Sequence, residues 1–462
     1  MKVINSFLWE CLAIIPSVLM AQTANKQPNI VLILADDMGC ECLGCYGSTY
    51  QTPNLDKLSE IGVRFDNCFS QPLSTPSRVQ LMTGKYNNKN YSCFGHLNQK
   101  EKTFAHLAKD AGYTTMIAGK WQLGRNRNLP NHFGFDHYCL WQLSYDRMIK
   151  ERYAAPLIEQ DGNIKLYSNN EYGPDIFTQY VIDFIEENKT KPFFIYYPMV
   201  LVHNPFYPTP QSDVWKDPSM REVRNTANFT KMVEHVDKNI NMIFNKLENL
   251  NLLNNTIIIF IGDNGTNRNI RTTMKDGTIV RGGKGLTIDT GVRVPMIVYW
   301  GKNNNTKHEC ADMIDFTDFM PTFAEAMNIK VPKQWDIDGQ SFLPQIKGEK
   351  GKSREWVFCH YDSRFNASAS KNAKQFFRDM RYKLYSDGNF YDTIKDPKET
   401  NPIAKGKGNA EAEKSRRKLE RLFANIPAWK VGDPAIPMCI LPEFPLLQTP
   451  KNISLEQILH SY

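Results

Sequence analysis

The chain has 462 residues, 41% of them hydrophobic and 23% charged, which is enough apolar content for a sizeable buried core and excludes wholesale disorder. Its 56 basic and 49 acidic residues leave a formal charge of +7, and no block of like charge is long enough to argue for nucleic acid. A weak basic excess suits an anionic substrate or a plain solvated surface.

In chain order, Lys2, the short apolar run CLAIIPSVLM (11–20) and the small Ala21 read as a secretory signal over residues 1–21. An exported protein, periplasmic or secreted, is therefore expected. No stretch approaches the roughly 18 apolar residues of a membrane span, so no stable membrane insertion is expected. One of the ten cysteines falls in this segment, and the odd remainder leaves at least one thiol unpaired. The cluster CECLGC (Cys40, Cys42, Cys45) lacks the fourth Cys or His of a closed zinc or iron–sulfur site. It reads as loop thiols with room for one disulfide, without a catalytic role.

Short apolar runs bounded by turn residues follow: NIVLILA (29–35), TTMIA (114–118), PFFIYY (192–197), TIIIFI (256–261) and VPMIVYW (294–300). Apolarity on both faces predicts buried parallel strands. Residues 229–250 place Met232, Val233, Val236, Ile240, Ile243, Phe244 and Leu247 at helical spacing, an amphipathic helix packed on that sheet. The alternation gives an α/β fold with a large, mostly parallel central sheet flanked by helices. IKGEKGKSR (346–354) reads as a polar linker, RYKLYSDGNFYD (381–392) as an antiparallel hairpin around an Asp-Gly turn, and 409–424 as a charged helix. The expected division is a catalytic domain over 22–350 and a smaller α+β subdomain with an antiparallel sheet over 351–462.

In open α/β sheets, ligands bind beyond the carboxyl ends of the strands. Here the first strand runs into Asp36 and Asp37, and the fourth into Asp263 and Asn264; Lys120 follows the second and His203 the third. Either acidic pair alone is an ordinary turn maker. Together they offer three carboxylates and an amide oxygen, a hard-oxygen set suited to Ca²⁺ or Mg²⁺. Lys120, Lys284 and Arg78 can neutralise a tetrahedral oxyanion there, and His203 can titrate near neutrality and protonate a leaving alcohol. The stretch PLSTPSRVQLMTG (72–84) reads as a helix start, with proline in the first turn and glycine at the end. Ser74 is then either a simple N-cap or a group held where the helix end favours negative charge.

That stretch resembles the signature of the type I sulfatases, of the alkaline phosphatase superfamily: Cys or Ser, any residue, Pro, a small residue and Arg before an apolar pair and Thr-Gly. Ser74, Thr75, Pro76, Ser77, Arg78, Leu81, Met82, Thr83 and Gly84 supply every element. NIVLILADDMG, TPNLDKLSEIGVRF, AGKWQLG, VHNP, GDNG, GKGLTIDTGVRVP, DFMPTFAEAMNI and DIDGQSFLP resemble the successive family blocks, in order, over roughly residues 28–400.

The resemblance implies an alkaline-phosphatase-like fold and a sulfuric ester hydrolase in which Ser74 is oxidised to formylglycine (3-oxoalanine) by the serine-type radical maturation enzyme. One hydroxyl of the hydrated aldehyde attacks sulfur and the other helps expel sulfate. It also implies that Asp36, Asp37, Asp263, Asn264 and modified Ser74 bind Ca²⁺ (Mg²⁺ suits the same ligands), and that Arg78 holds the hydrate. Lys120, Lys284 and His203 would contact the sulfate. Arg293, in the GVRVP block, reads as a structural charge near the site. Gln122 departs from the pattern, standing in GKWQLG where the family has histidine; it can hydrogen-bond to substrate but cannot accept a proton at neutral pH.

The expected substrate is a sulfated carbohydrate, a glycosaminoglycan or mucin-type glycan, with exo action preferred. Aromatic residues of HYCLWQLSYDRM (137–148) and NPFYPTP (204–210) are candidates for sugar subsites or for ordinary packing. Two alternatives stay open: a phosphodiesterase or phosphonate monoester hydrolase of the same superfamily, and a glycan-binding homologue without activity.

Overall fold

A computed structural model describes residues 27–145, 148–301, 308–363 and 373–427. The expected signal segment, 1–21, and the chain beyond 427 lie outside the described residues.

Ten strands form one mixed sheet: β1 (Asn29–Ala35), β2 (Val63–Phe69), β3 (Thr114–Gly119), β4 (His137–Trp141), β5 (Leu157–Gln160), β6 (Asn163–Leu166), β7 (Phe193–Pro198), β8 (Thr256–Gly262), and two later strands. A two-stranded ribbon, β9 (Arg271–Thr273) and β10 (Ile279–Arg281), precedes β11 (Arg293–Trp300) and β12 (His308–Asp315). Across the sheet the order is β12-β2-β11-β8-β1-β7-β3-β4-β5-β6. The centre, β8-β1-β7-β3-β4, is parallel throughout.

Period-two alternation in β1 explains its continuous apolarity. Ile30, Leu32 and Leu34 enter the core on one face, while Val31, Ile33 and Ala35 enter the core on the other. The first core is closed by α2 (Ser74–Thr83), α3 (Phe104–Asp110) and α6 (Phe319–Ala326), the second by α1 (Pro53–Ile61), α4 (Gly173–Glu187) and α5 (Asn228–Asn249). The helix expected over 229–250 is α5, and its Met232, Val233, Val236, Ile240, Ile243 and Leu247 are buried; Phe244 packs at the edge.

The strand expected over 294–300 is β11, but it runs antiparallel to both its neighbours, β2 and β8. Its apolarity reports burial on both faces, which says nothing of strand direction.

At the C-terminal end, β13 (Val357–Tyr361), β14 (Lys374–Arg378), β15 (Tyr382–Tyr385) and β16 (Phe390–Asp392) form a separate antiparallel sheet, with α7 (Ala410–Phe423) packed on it. The Asp-Gly hairpin stands as expected, with Gly388 at φ +88°. The segment expected to be a polar linker is exposed over most of 348–353 and anchored at its end. Arg354 is buried and bridges Asp318 at both carboxylate oxygens, 2.5 and 2.8 Å.

Cys40, Cys42 and Cys45 are free thiols, so the CECLGC cluster holds no disulfide. Burial pushes the Cys40 and Cys45 thiols up to about 12, so they stay protonated at neutral pH. Among the described residues, no helix is long and apolar enough to cross a membrane.

Candidate active site

Because β8, β1, β7 and β3 are adjacent and parallel, their carboxyl ends open on one edge of the sheet. Asp36 and Asp37 leave β1, Asp263 and Asn264 leave β8, Lys120 leaves β3, and His203 follows β7. Lys120 is reached through Gly119, at φ +105°, where a Cβ would lie 2.2 Å from the Pro198 carbonyl. The Lys120 amide donates to that same carbonyl at 2.8 Å.

Ser74 arrives from a different direction, on the first turn of α2. The helix begins at Ser74 itself, and no side chain caps it. The N-cap reading is therefore corrected: the Ser74 hydroxyl faces Asp36 Oδ1 at 3.1 Å, Asn264 Oδ1 at 3.2 Å and Lys120 Nζ at 3.3 Å. Lys284 comes from the loop after β10, folded against α2's entry by a hydrogen bond from the Gly285 amide to the Pro72 carbonyl, 2.8 Å. Gly283 in that loop has no room for a side chain, since a Cβ would sit 2.4 Å from Thr290.

Each carboxylate has its own cation. Lys120 Nζ lies 2.7 Å from Asp36, Lys284 Nζ 2.6 Å from Asp37, and Arg78 Nη2 3.3 Å from Asp263. All three carboxylates are fully buried. Burial by itself raises Asp36, but Lys120, then His203, Arg78 and Lys284, outweigh it and hold that carboxyl far below the usual range. Asp37 is likewise held low, against burial, chiefly by Lys284. Asp263 goes the other way, to about 7, through burial and repulsion from Asp36 that Arg78 does not offset. Burial pulls Lys120 down to about 8 despite Asp36, which leaves it charged at neutral pH.

Three crowded, buried carboxylates, one of them unable to ionise fully, together with the Asn264 amide oxygen, fit a divalent cation with hard-oxygen ligands. Asp36, Asp37 and His203 also bring possible ligand atoms within 4.8 Å of one another.

His203 differs from expectation. Crowding by the pocket walls pushes its imidazole down to about 3, against the pull of Asp37 and Asp36, so it is neutral at pH 7. Its Nδ1 contacts the Asn204 carbonyl, which can only accept; Nδ1 therefore carries the proton. The lone pair of Nε2 faces the site, 3.8 Å from Asp37. Arg293 donates to the Asp66 carbonyl at 3.1 Å, a structural contact.

The structure thus brings Asp36, Asp37, Ser74, Arg78, Lys120, His203, Asp263, Asn264 and Lys284 into one cluster from six separate segments. Gln122 lies two residues past Lys120, at φ 55° and lining a pocket that opens beside the cluster. The aromatic candidates divide. Trp141 and Tyr145 line this pocket, whereas Phe206 and Tyr207 are buried in the core. Sequence reasoning missed Arg152, whose guanidinium reaches within 4.0 Å of Asp36 from a stretch, ERYAAP, that carries no recognisable motif.

A hydroxyl at a helix start, ringed by carboxylates and cations at the open edge of a parallel sheet, defines a hydrolase of tetrahedral anionic esters. The chain belongs to the sulfatase family, a class of sulfuric ester hydrolases: the family model described as Sulfatase matches residues 28–329. A second, described as N-sulphoglucosamine sulphohydrolase, C-terminal, matches 283–425. Arylsulfatase J of Mus musculus is 30% identical over 70% of this chain, which spans 56% of that relative's length. N-acetylglucosamine-6-O-sulfatase of Bacteroides thetaiotaomicron is 25% identical over 86% of each chain. Among solved structures, Ps i-CgsB superposes with a TM-score of 0.71 at 24% identity, covering 86% of this chain and 93% of that one. BT4656, solved in complex with its substrate D-glucosamine-2-N,6-O-disulfate, gives 0.69 at 25% identity, covering 86% and 97%.

Proposed function

We propose that this protein removes sulfate from a sulfated carbohydrate, with residue 74 as the nucleophile after oxidation to formylglycine and with Ca²⁺ held beside it. The observation that carries the reading is the setting of Ser74. Its hydroxyl touches two would-be metal ligands and a lysine, and among the described residues no imidazole hydrogen-bonds to it. A serine so placed is a poor nucleophile as it stands. Oxidised and hydrated, residue 74 would supply a geminal diol, with one oxygen for attack on sulfur and a second hydroxyl for releasing sulfate.

The remaining residues have distinct tasks. Asp36, Asp37, Asp263 and Asn264 would hold Ca²⁺, which supplies Lewis-acid charge to the reacting oxygens. Arg78 is completely buried, donates to the Lys120 carbonyl at 3.1 Å and pairs with Asp263, so it fixes the first turn of α2 against two strand ends. Lys120 and Lys284 flank the nucleophile and bind sulfate oxygens as charge builds on them. His203 presents Nε2 to the site; an anionic ester beside it favours its protonated form, which then gives that proton to the departing alcohol.

Carbohydrate as the substrate is supported by relatives named for N-acetylglucosamine and N-acetylgalactosamine sulfates, and by the disulfated glucosamine bound to BT4656. A glycosaminoglycan or mucin-type glycan, attacked from its end, is the expected polymer. Export, and maturation by a serine-type radical enzyme, belong to the same reading.

Initial rates of co-matured protein on an aryl sulfate and on an aryl phosphate diester test the reaction type. Faster sulfate ester cleavage is expected; faster diester cleavage would assign the protein to phosphoryl chemistry instead.

A further inference from the structure

Beside the cluster lies a pocket of about 260 Å³, bounded by Lys120, Gln122, Trp141, Tyr145, Arg152 and His203. Lys120 and His203 are shared with the proposed sulfate site, so the pocket is where the rest of the ester would lie.

Arg152 is the unexplained charge in its wall. The residue is 8% exposed, yet its Nε and Nη1 find no hydrogen-bond partner among the described residues. Its nearest anion is Asp36, 4.0 Å from Nη1, and that oxygen is already taken by Lys120 at 2.7 Å. With Asp263, Asp36 and Asp37 matched to Arg78, Lys120 and Lys284, none of these three carboxylates is left to pair with Arg152.

Its position is nevertheless fixed. The guanidinium stacks on the Trp141 ring, 4.3 Å from the centroid, and the Trp141 indole N–H donates to the Lys150 carbonyl at 3.1 Å. Behind it, Gly173 packs so closely that a Cβ would lie 2.1 Å from the Arg152 carbonyl. A buried guanidinium held rigid with open donors is costly unless something anionic completes it. Planar, forked donors suit a carboxylate or a sulfate. Also in the pocket lining, the Gln122 Oε1 is buried and has no hydrogen-bond partner among the described residues, an acceptor set for a hydroxyl or amide hydrogen.

We infer that Arg152 is a specificity residue that binds a second anionic group of the substrate, a carboxylate or a further sulfate on the same saccharide, while Gln122 accepts from a neighbouring sugar hydroxyl or N–H. The inference rests on the carbohydrate sulfatase reading, and it narrows the substrate to a saccharide with at least two negative charges.

The test uses the full chain with Ser74 unmodified and Ca²⁺ present, so that binding is read without turnover. Calorimetry compares regioisomeric monosulfated hexosamines with counterparts that carry an N-sulfate or a linked uronate; the two sets separate a second sulfate from a carboxylate. The doubly anionic member should bind about 10- to 100-fold tighter than its monosulfated counterpart, and Arg152→Gln should remove that difference. Arg152→Lys should restore part of it. Equal affinities, no binding of any doubly anionic member, or a preference that survives in Arg152→Gln would overturn the inference. With matured enzyme, the ratio of kcat/KM between the paired substrates should fall in Arg152→Gln through KM. A parallel loss on both substrates would place Arg152 on the scissile sulfate and also overturn it. Sulfate release without this dependence leaves the sulfatase reading standing; the binding preference without any release sinks that reading and leaves Arg152's role.

Discussion

The hydroxyl of Ser74 lies within 3.3 Å of a carboxylate, an amide oxygen and an ammonium group, and each comes from a different strand end. The residue types at those positions were legible from the chain, because acidic pairs and lysines after apolar runs are visible in one dimension. Protonation states were not. His203 reads as a neutral-pH titrator in sequence, but the pocket walls and the Asn204 carbonyl make it a neutral ring with a committed tautomer. Arg152 was invisible because its meaning lies in what it does not touch. A quieter histidine gives a pH prediction. His106 accepts the Thr103 backbone N–H at 3.2 Å in the capping box of α3. Burial, helped by Lys102, pushes its imidazole from 6.5 down to about 4. Between these values the unfolded chain binds the extra proton, so His106 favours folding above pH 6.5 and that contribution is lost as pH falls through 4. Urea midpoints measured across this range should decline toward acid, and His106→Gln should flatten the decline. An unchanged slope in the variant would contradict the assignment.

Elements were readable where one physical signal dominated. Continuous apolarity located β1, β7, β8 and β11 to within a residue or so, and helical spacing located α5. Strand direction in β11 had no local signal, since pairing partners far along the chain decide it. The run 346–354 was legible only in part: its middle is exposed as its charge suggests, yet Arg354 turns inward. There it bridges Asp318 and donates to the Tyr86 hydroxyl at 2.9 Å, tying the start of the C-terminal sheet to the segment before α6. Removing one partner of such a pair leaves the other charged and buried, so Arg354→Met should cost about 3–5 kcal/mol in chemical denaturation. A loss below about 1 kcal/mol would show that the bridge behaves like an exposed ion pair.

For the molecule as a whole, the antiparallel sheet is joined to the site by hydrogen bonds and ion pairs. Lys383 is buried and donates to the Thr287 carbonyl at 2.8 Å, Arg378 pairs with Asp289 at 2.6 Å, and the Tyr385 hydroxyl meets Thr287 Oγ1 at 2.9 Å. All three contacts grip the segment that follows Lys284, so the C-terminal sheet positions a residue of the proposed sulfate site. The hairpin and the charged helix of this part were legible from turn chemistry and helical charge pattern. Their grip on the Lys284 loop was not, because it joins residues about a hundred positions apart. The central claim is that residue 74 works only after conversion from serine. It is tested most directly by measuring inorganic sulfate released from sulfated saccharides, with Ca²⁺ present, by protein produced with and without a serine-type maturation enzyme. Release confined to the co-matured protein is the predicted result; equal release by both preparations, or none from either, would contradict it.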